Sequence, residues 1–151
     1  MVNAERVYAD PSALLKLYIH EPESAAMSRW RARTRAALPI SPQGRLEIVN
    51  GIGLAAFRSA ITNEASRDAL ASFEEDFAEG RYVEIDVPWR ATLRRAIEIS
   101  RLHTPKFGAR SLDVLHVATA LELGLRRFVT FDRRQQHLAR ATGLAATRPT
   151  V

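Results

Sequence analysis

The stretch Arg110 to Asp132, RSLDVLHVATALELGLRRFVTFD, combines a predicted helix, a glycine stop, a short strand and a closing acid. Ser111 is the predicted N-cap, and Gly124 is the predicted residue just past the helix, where a left-handed backbone favours glycine. The helix is apolar around most of its circumference, which is typical of a buried helix. Asp113 and Asp132 nevertheless lie at the ends of this apolar unit. The stretch therefore predicts part of a core that carries two carboxylates to its edge.

Length and composition narrow the class of protein. With 151 residues, the chain is long enough for one hydrophobic core, and we expect a single domain over residues 1–151. No apolar run approaches the roughly 18 residues that a membrane span needs. The start of the sequence lacks the pattern of a signal peptide, and cysteine is absent. We therefore expect a cytoplasmic protein without disulfide or thiol chemistry.

The basic residues are almost all arginine. The net charge is +5, and 20 of the 22 basic residues are arginine, since only Lys16 and Lys106 are lysine. Guanidinium groups bind phosphates in bidentate fashion, so a nucleic acid is one candidate partner. A genome-wide preference for arginine over lysine explains the composition equally well. The charge nominates a polyanionic partner without establishing one.

Short predicted strands alternate with helices along the chain. The strands are residues 6–9, 37–40, 82–85, 128–131 and 145–148, and the helices begin near residues 11, 23, 42, 64, 89, 111 and 135. The helix that begins at Trp89 is predicted to end at Leu102, followed by a loop over residues 103–108. This alternation favours βαβ units, a short central parallel sheet and helices on both faces, hence a three-layer α/β/α sandwich.

Acidic residues gather where this fold would place a ligand. Three of the six aspartates, Asp10, Asp113 and Asp132, follow a predicted strand or begin a helix. Ligands of α/β sheets bind beyond the carboxyl ends of the strands, so Asp10 and Asp132 are expected at that edge. Asp113 reaches the same edge if its helix begins there. Glu47 stands alone as an acid on an otherwise apolar helix, from which it can join them.

Each of these acids also has a purely structural interpretation. Asp10 and Asp132 can cap the helices that follow them, and Asp113 suits the positive end of a helix dipole. Glu47 can pair with a neighbouring arginine. The combination favours a site, because four converging carboxylates repel unless protons or cations neutralise them. An all-oxygen set favours Mg²⁺ or Mn²⁺ over Zn²⁺ and suits phosphodiester hydrolysis, in which a metal ion activates water.

Four motifs resemble those of PIN-domain ribonucleases, in particular the VapC toxins of type II toxin–antitoxin pairs. They are YADPSALLKLY at 8–18, SPQGRLEIVNGI at 41–52, RSLDVLHVATALELG at 110–124 and FVTFDRRQ at 128–135. The third and fourth are the specific ones. The resemblance implies a single PIN-like domain with Mg²⁺- or Mn²⁺-dependent endoribonuclease activity. It also implies a homodimer and a VapB-like antitoxin that blocks the active site.

The resemblance assigns a role to each acid. Asp10 and Asp113 become the main metal ligands, and Asp132 completes the site directly or through water. Glu47 becomes the residue that orients or deprotonates the attacking water. Together these residues form an acidic quartet.

Supporting positions follow from the same motifs. Ser12 and Thr130 correspond to hydroxyls that hold a water or support a carboxylate, with capping and strand packing as the alternatives. His116 is assigned a structural hydrogen-bonding role rather than a chemical one. The candidates for RNA contact are Arg29 to Arg35 and Arg126 to Arg134. For the first group, the resemblance favours a role in clamping the antitoxin over RNA contact.

Two other classes of protein compete with this interpretation. A non-catalytic module on the same fold could bind RNA or a partner protein, but a pure binding surface has no use for four converging acids. A phosphatase of the haloacid dehalogenase type needs a second Asp two residues after the first, where this chain has Ser12. A phospho-receiver needs a lysine late in the chain, and neither Lys16 nor Lys106 follows a late strand.

Overall fold

A computed structural model of the protein describes residues 4–151. The chain divides into two compact units. Unit 1 contains Pro11–Ile85 with short terminal segments, and unit 2 contains Arg6–Asp10 and Asp86–Arg148. The single domain expected over residues 1–151 stays a prediction.

The described part of the chain contains the predicted strands and helices, with ends shifted by one to several residues. In chain order they are β1 (Val7–Ala9), α1 (Pro11–Leu15), α2 (Ser24–Arg33), β2 (Leu38–Ile40), α3 (Pro42–Phe57), α4 (Asn63–Ala78), β3 (Tyr82–Glu84), α5 (Trp89–Phe107), α6 (Ser111–Glu122), β4 (Arg127–Val129), α7 (Arg133–Ala141) and β5 (Ala145–Thr147). In that part of the chain no helix is long and apolar enough to cross a membrane.

Unit 2 is built on a three-stranded parallel sheet in the order β1-β4-β5. The central strand β4 pairs Phe128 with Tyr8 on one side and with Ala146 on the other. Phe128 is fully buried, and its ring stacks on Tyr8 with the centroids 5.3 Å apart. Val117 of α6 and Leu138 of α7 are fully buried in the same core. This core holds the ends of β1 and β4 side by side.

Unit 1 pairs β2 with β3 in parallel and packs α3 against α1 and α4. Gly51 lies at the contact of α3 with α1. A Cβ at this position would come within 2.9 Å of the Leu15 Cδ2 atom, so a larger residue would force the Leu15 side chain to move. The glycine, which costs about 1 kcal/mol relative to alanine within a helix, is thus explained by close packing.

A polar cluster lies within unit 1. The hydroxyl of Tyr18 donates to Asp76 at 2.5 Å and lies 2.7 Å from the hydroxyl of Tyr82. Burial raises the pKa of Tyr82 to about 12 and also raises the pKa of Tyr18. Both phenols are therefore neutral at physiological pH and serve as hydrogen-bonding groups.

The prediction that α5 ends at Leu102 and is followed by a loop was wrong. The helix continues through Pro105 to Phe107 and stops at Gly108, whose φ of 64° is left-handed. Pro105 lies in the last turn and has no N–H to donate, but the Gly108 N–H still bonds to the Thr104 carbonyl at 2.8 Å, so helical hydrogen bonding resumes after the proline. A proline near a helix end therefore did not mark the boundary.

Helix α6 is less completely buried than its composition suggested. Val114, Val117, Ala118 and Ala120 are buried, but Leu112 is 50% exposed. Gly124 follows the helix with a φ of 68°, which confirms the predicted left-handed glycine. The middle of the helix, residues 116–120, is buried on all sides, and its exposed residues lie in the first turn.

Candidate active site

Asp10 lies at the carboxyl end of β1, as its position in the sequence predicted. Its backbone N–H continues the ladder by bonding to the Val129 carbonyl at 2.9 Å. The residue is only 5% exposed, and its Oδ1 atom accepts a hydrogen bond of 3.0 Å from the Gln135 side-chain amide. Burial and this contact hold the carboxylate in a defined place.

Asp132 is the N-cap of α7, the structural interpretation that the sequence also allowed. The prediction that the strand runs to Phe131 was wrong, because β4 ends at Val129. The Thr130 hydroxyl accepts a 3.1 Å hydrogen bond from the Asp132 N–H, and this local bond turns the chain out of the strand. The Asp132 Oδ1 atom accepts from the Gln135 N–H at 3.0 Å.

Asp113 lies in the first turn of α6, and its side chain is 14% exposed. The predicted N-cap, Ser111, was wrong: the cap is Arg110, and Ser111 is the first helical residue. The Asp113 Oδ2 atom accepts from the Arg110 backbone N–H at 3.3 Å. This is the bond of a capping box in which the third helical residue accepts from the N–H of the cap.

Arg110 connects two of the aspartates, a role that the sequence motifs did not indicate. Its Nε atom is 3.3 Å from the Asp113 Oδ2 atom, and its Nη2 atom is 3.8 Å from the Asp132 Oδ2 atom. The arginine side chain is 75% exposed, so these ion pairs contribute at most about 1 kcal/mol. The i, i+3 spacing to Asp113 is the signal that could have revealed the first of them.

Gln135 is the second residue that sequence reasoning missed. It is fully buried and contacts Asp10 and Thr130 through its side chain and Asp132 through its backbone. A glutamine three residues after an N-cap predicts a capping box, in which its side chain would bond to the cap's N–H. Thr130 already accepts from that N–H, and the Gln135 side chain reaches Asp10 instead.

The remaining predicted residues lie as follows. Glu47 is half-buried on α3, and Ser12 is exposed in the first turn of α1, so both belong to unit 1. His116 is buried on α6, with its Nδ1 atom 2.6 Å from the Tyr8 hydroxyl. Asp10, Asp113 and Asp132 all belong to unit 2. The roles assigned to Glu47, Ser12 and His116 stay predictions.

One of the arginines proposed for RNA contact is a structural residue. Arg31 is only 5% exposed and donates to the backbone carbonyls of Thr34, Ala36 and Arg81. It is therefore unavailable to a ligand. Its neighbours Arg29 and Arg33 are exposed, and so are all the arginines from residue 126 to residue 134.

The donor set fits a hard cation in its chemistry. Asp10, Asp113 and Asp132 present carboxylate oxygens, the ligands that Mg²⁺ and Mn²⁺ prefer. Between two of them the structure holds a positive group, the guanidinium of Arg110. Across residues 4–151 no group of three or more His, Asp and Glu side chains is gathered closely enough to hold a metal ion by itself.

Comparison with known proteins gives consistent results. The sequence model of the PIN domain family matches residues 7–141. Ribonuclease VapC46 of Mycobacterium tuberculosis is 33% identical over 145 residues, covering 95% of this chain and 97% of that protein. Ribonuclease VapC35 of the same organism is 30% identical over 148 residues, covering 95% and 96%. The similarity therefore extends over nearly the full length of both relatives.

A solved structure with the same fold is the crystal structure of FitAcB from Neisseria gonorrhoeae. The TM-score is 0.59, with 16% sequence identity, and the match covers 93% of this chain and 95% of that chain. At this identity the match concerns the fold alone.

Proposed function

This chain belongs to the PIN-domain family, and from that membership we propose that it is a metal-dependent endoribonuclease of the VapC type. The observation that carries the proposal is the linkage of three aspartates in unit 2 by hydrogen bonds and ion pairs. Gln135 links Asp10 to Asp132, and Arg110 links Asp132 to Asp113. These carboxylates come from the end of β1, the start of α6 and the start of α7.

The residues have distinct roles in this proposal. Asp10, Asp113 and Asp132 hold a divalent cation, Mg²⁺ or Mn²⁺. When bound, the cation lowers the pKa of a coordinated water and offsets the negative charge of the RNA phosphate. Glu47 is kept as the fourth acid, the one that orients or deprotonates the water, on the strength of its sequence motif alone.

The partners follow from the names of the relatives and from charge. Both relatives are named Ribonuclease VapC, which supports RNA as the substrate and a VapB-like antitoxin as the inhibitor. The net charge of +5 favours the approach of a polyanion to an acidic site. A homodimer in the cytoplasm completes the proposal.

The test is RNA cleavage by the purified protein with and without divalent metal. We expect cleavage in Mg²⁺ or Mn²⁺, loss of cleavage in excess chelator, and recovery when the metal is added back. Mapping the RNA ends would also show which sequence is cut. Cleavage that persists in excess chelator would refute the metal mechanism. Tight RNA binding without cleavage in any metal would favour the non-catalytic module.

Arg110 offers a prediction about metal affinity. The change Arg110→Gln keeps a hydrogen-bonding side chain and removes a positive charge next to Asp113 and Asp132. We expect Mn²⁺ to bind up to about 5-fold more tightly, because an exposed ion pair is worth at most about 1 kcal/mol. Isothermal titration calorimetry at low salt measures the effect, which should shrink as salt is added.

The matched control for this prediction is Arg126→Gln. Arg126 is also exposed and lies just before β4, at the end opposite Asp132. The change Arg126→Gln removes the same net charge from the protein as Arg110→Gln does. Equal changes in Mn²⁺ affinity for the two variants, or weaker binding by Arg110→Gln, would contradict a direct competition between the guanidinium and the metal.

A further inference from the structure

A chain of hydrogen bonds with a single direction runs from Asp132 to Asp10. The Asp132 N–H donates to the Thr130 hydroxyl at 3.1 Å, and that hydroxyl donates to the Gln135 Oε1 atom at 2.6 Å. The Gln135 Nε2 atom then donates to the Asp10 Oδ1 atom at 3.0 Å. The chain joins two of the aspartates through side chains that bear no charge.

The chemistry of the two ends determines the orientation of the amide. An ionised carboxylate only accepts hydrogen bonds, so the nitrogen of Gln135 must face Asp10. The oxygen of the amide then faces Thr130, whose hydroxyl is able to donate while it accepts from the Asp132 N–H. Each group in the chain therefore has a partner of the correct kind, and reversing the amide would place its oxygen against the Asp10 carboxylate, which cannot donate.

Burial makes this chain a rigid one. Thr130 and Gln135 are both fully buried, and Asp10 is only 5% exposed. A buried polar group that loses its partner is costly, because water cannot replace the missing bond. The Gln135 backbone is held as well, since its N–H donates to Asp132. The same residue thus touches the carboxylates of two aspartates, one through its side chain and one through its backbone.

We propose that Gln135 is the positioning residue of the acidic site, which sets the Asp10 carboxylate relative to that of Asp132. The inference rests on the proposed function, because it assigns these two acids to one metal site. In this proposal Gln135 acts through the Asp10 carboxylate and needs no contact with metal or RNA. Outer residues that orient metal ligands in this way typically contribute about 10- to 100-fold to metal affinity or activity.

The adjacent residue provides a matched control. Gln136 is also a buried glutamine in the first turn of α7, 8% exposed, and its Nε2 atom donates to the Thr130 backbone carbonyl at 3.1 Å. The changes Gln135→Met and Gln136→Met each remove one buried amide from the same helical turn. They differ in that the Gln135 side chain donates to the Asp10 carboxylate, whereas the Gln136 side chain donates to a backbone carbonyl.

The experiment measures Mn²⁺ binding to the full chain by electron paramagnetic resonance, without RNA, together with thermal unfolding of the metal-free protein. We expect Gln135→Met to weaken Mn²⁺ binding by about 10- to 100-fold. Gln136→Met should leave Mn²⁺ affinity within about 2-fold of wild type. It should lower the melting temperature by about as much as Gln135→Met does. A second variant, Thr130→Val, removes the hydroxyl that orients the amide and should weaken binding in the same direction.

A double mutant separates positioning from general loosening of the fold. In an Asp10→Asn background, Gln135→Met should cause little further loss of Mn²⁺ affinity, because its target is already removed. If wild type binds Mn²⁺ and cleaves RNA but Gln135→Met binds the metal as tightly, the positioning role is refuted and the proposed function stands. If Gln135→Met and Gln136→Met weaken binding equally, the positioning role is also refuted. If wild type neither binds Mn²⁺ nor cleaves RNA, both proposals fail.

Discussion

Replacing Asp113 by asparagine is expected to reduce RNA cleavage by about 100- to 1,000-fold, the typical effect of removing one preorganised charge or dipole from an active site. Asparagine has the same shape, and its carbonyl oxygen can still accept from the Arg110 N–H, so α6 should begin at the same residue. What is lost is the negative charge that a divalent cation requires. The measurement is the initial rate of RNA cleavage in Mn²⁺, with the melting temperature as a check of folding.

Asp86→Asn is the matched control for Asp113→Asn. Asp86 also follows a predicted strand and lies two residues after the end of β3, but it is exposed and has no part in the proposed site. Its replacement should leave the rate within about 2-fold of wild type. Cleavage by Asp113→Asn at the wild-type rate would refute the acidic mechanism, even if cleavage depended on metal.

Replacing Phe128 by alanine is expected to lower the free energy of unfolding by about 3–5 kcal/mol, the usual cost of removing a buried aromatic ring. Phe128 is fully buried at the centre of the three-stranded sheet and stacks on Tyr8. Since domains are stable by only about 5–15 kcal/mol, little stability would remain. Urea denaturation followed by circular dichroism measures the change.

Phe57→Ala makes the same chemical change at an exposed position. Phe57 is the last residue of α3 and is 86% exposed. Its replacement should change the free energy of unfolding by no more than about 0.5 kcal/mol. Similar losses in the two variants would mean that the sheet of unit 2 does not depend on the ring of Phe128.

The elements of the fold could be predicted because their signals are local. Apolar runs predicted the strands, and Ser41 followed by Pro42 predicted the start of α3, where the Ser41 hydroxyl accepts from the Gly44 N–H at 2.9 Å. The predicted PIN-like α/β fold is confirmed by the family match and by the FitAcB structure. Element ends were predicted less well, as at α5, because a proline in a last turn is tolerated when a later glycine ends the helix.

The candidate site could be predicted only in part. The motifs pointed to the aspartates, but they could not reveal Arg110 as the N-cap of α6 or Gln135 as the neighbour of Asp10. The contact between Gln135 and Asp10 joins residues 125 positions apart, and no local pattern reports such a distance. From the sequence alone, Gln135 is expected to accept a hydrogen bond from the N–H of the N-cap, Asp132. The structure shows that Thr130 accepts that bond instead.

The sequence by itself determined which elements form and which acids stand at their ends, because propensity, capping and hydrophobic periodicity act within a few residues. Tertiary structure alone decided how those acids are held. It placed β1 beside β4, so that Asp10 and the turn before Asp132 lie close enough to share Gln135. Because the Thr130 hydroxyl accepts the hydrogen bond from the Asp132 N–H, the Gln135 side chain is available to donate to the buried Asp10 carboxylate. Long-range pairing and burial select that partner, because a buried carboxylate must find a donor wherever the fold supplies one.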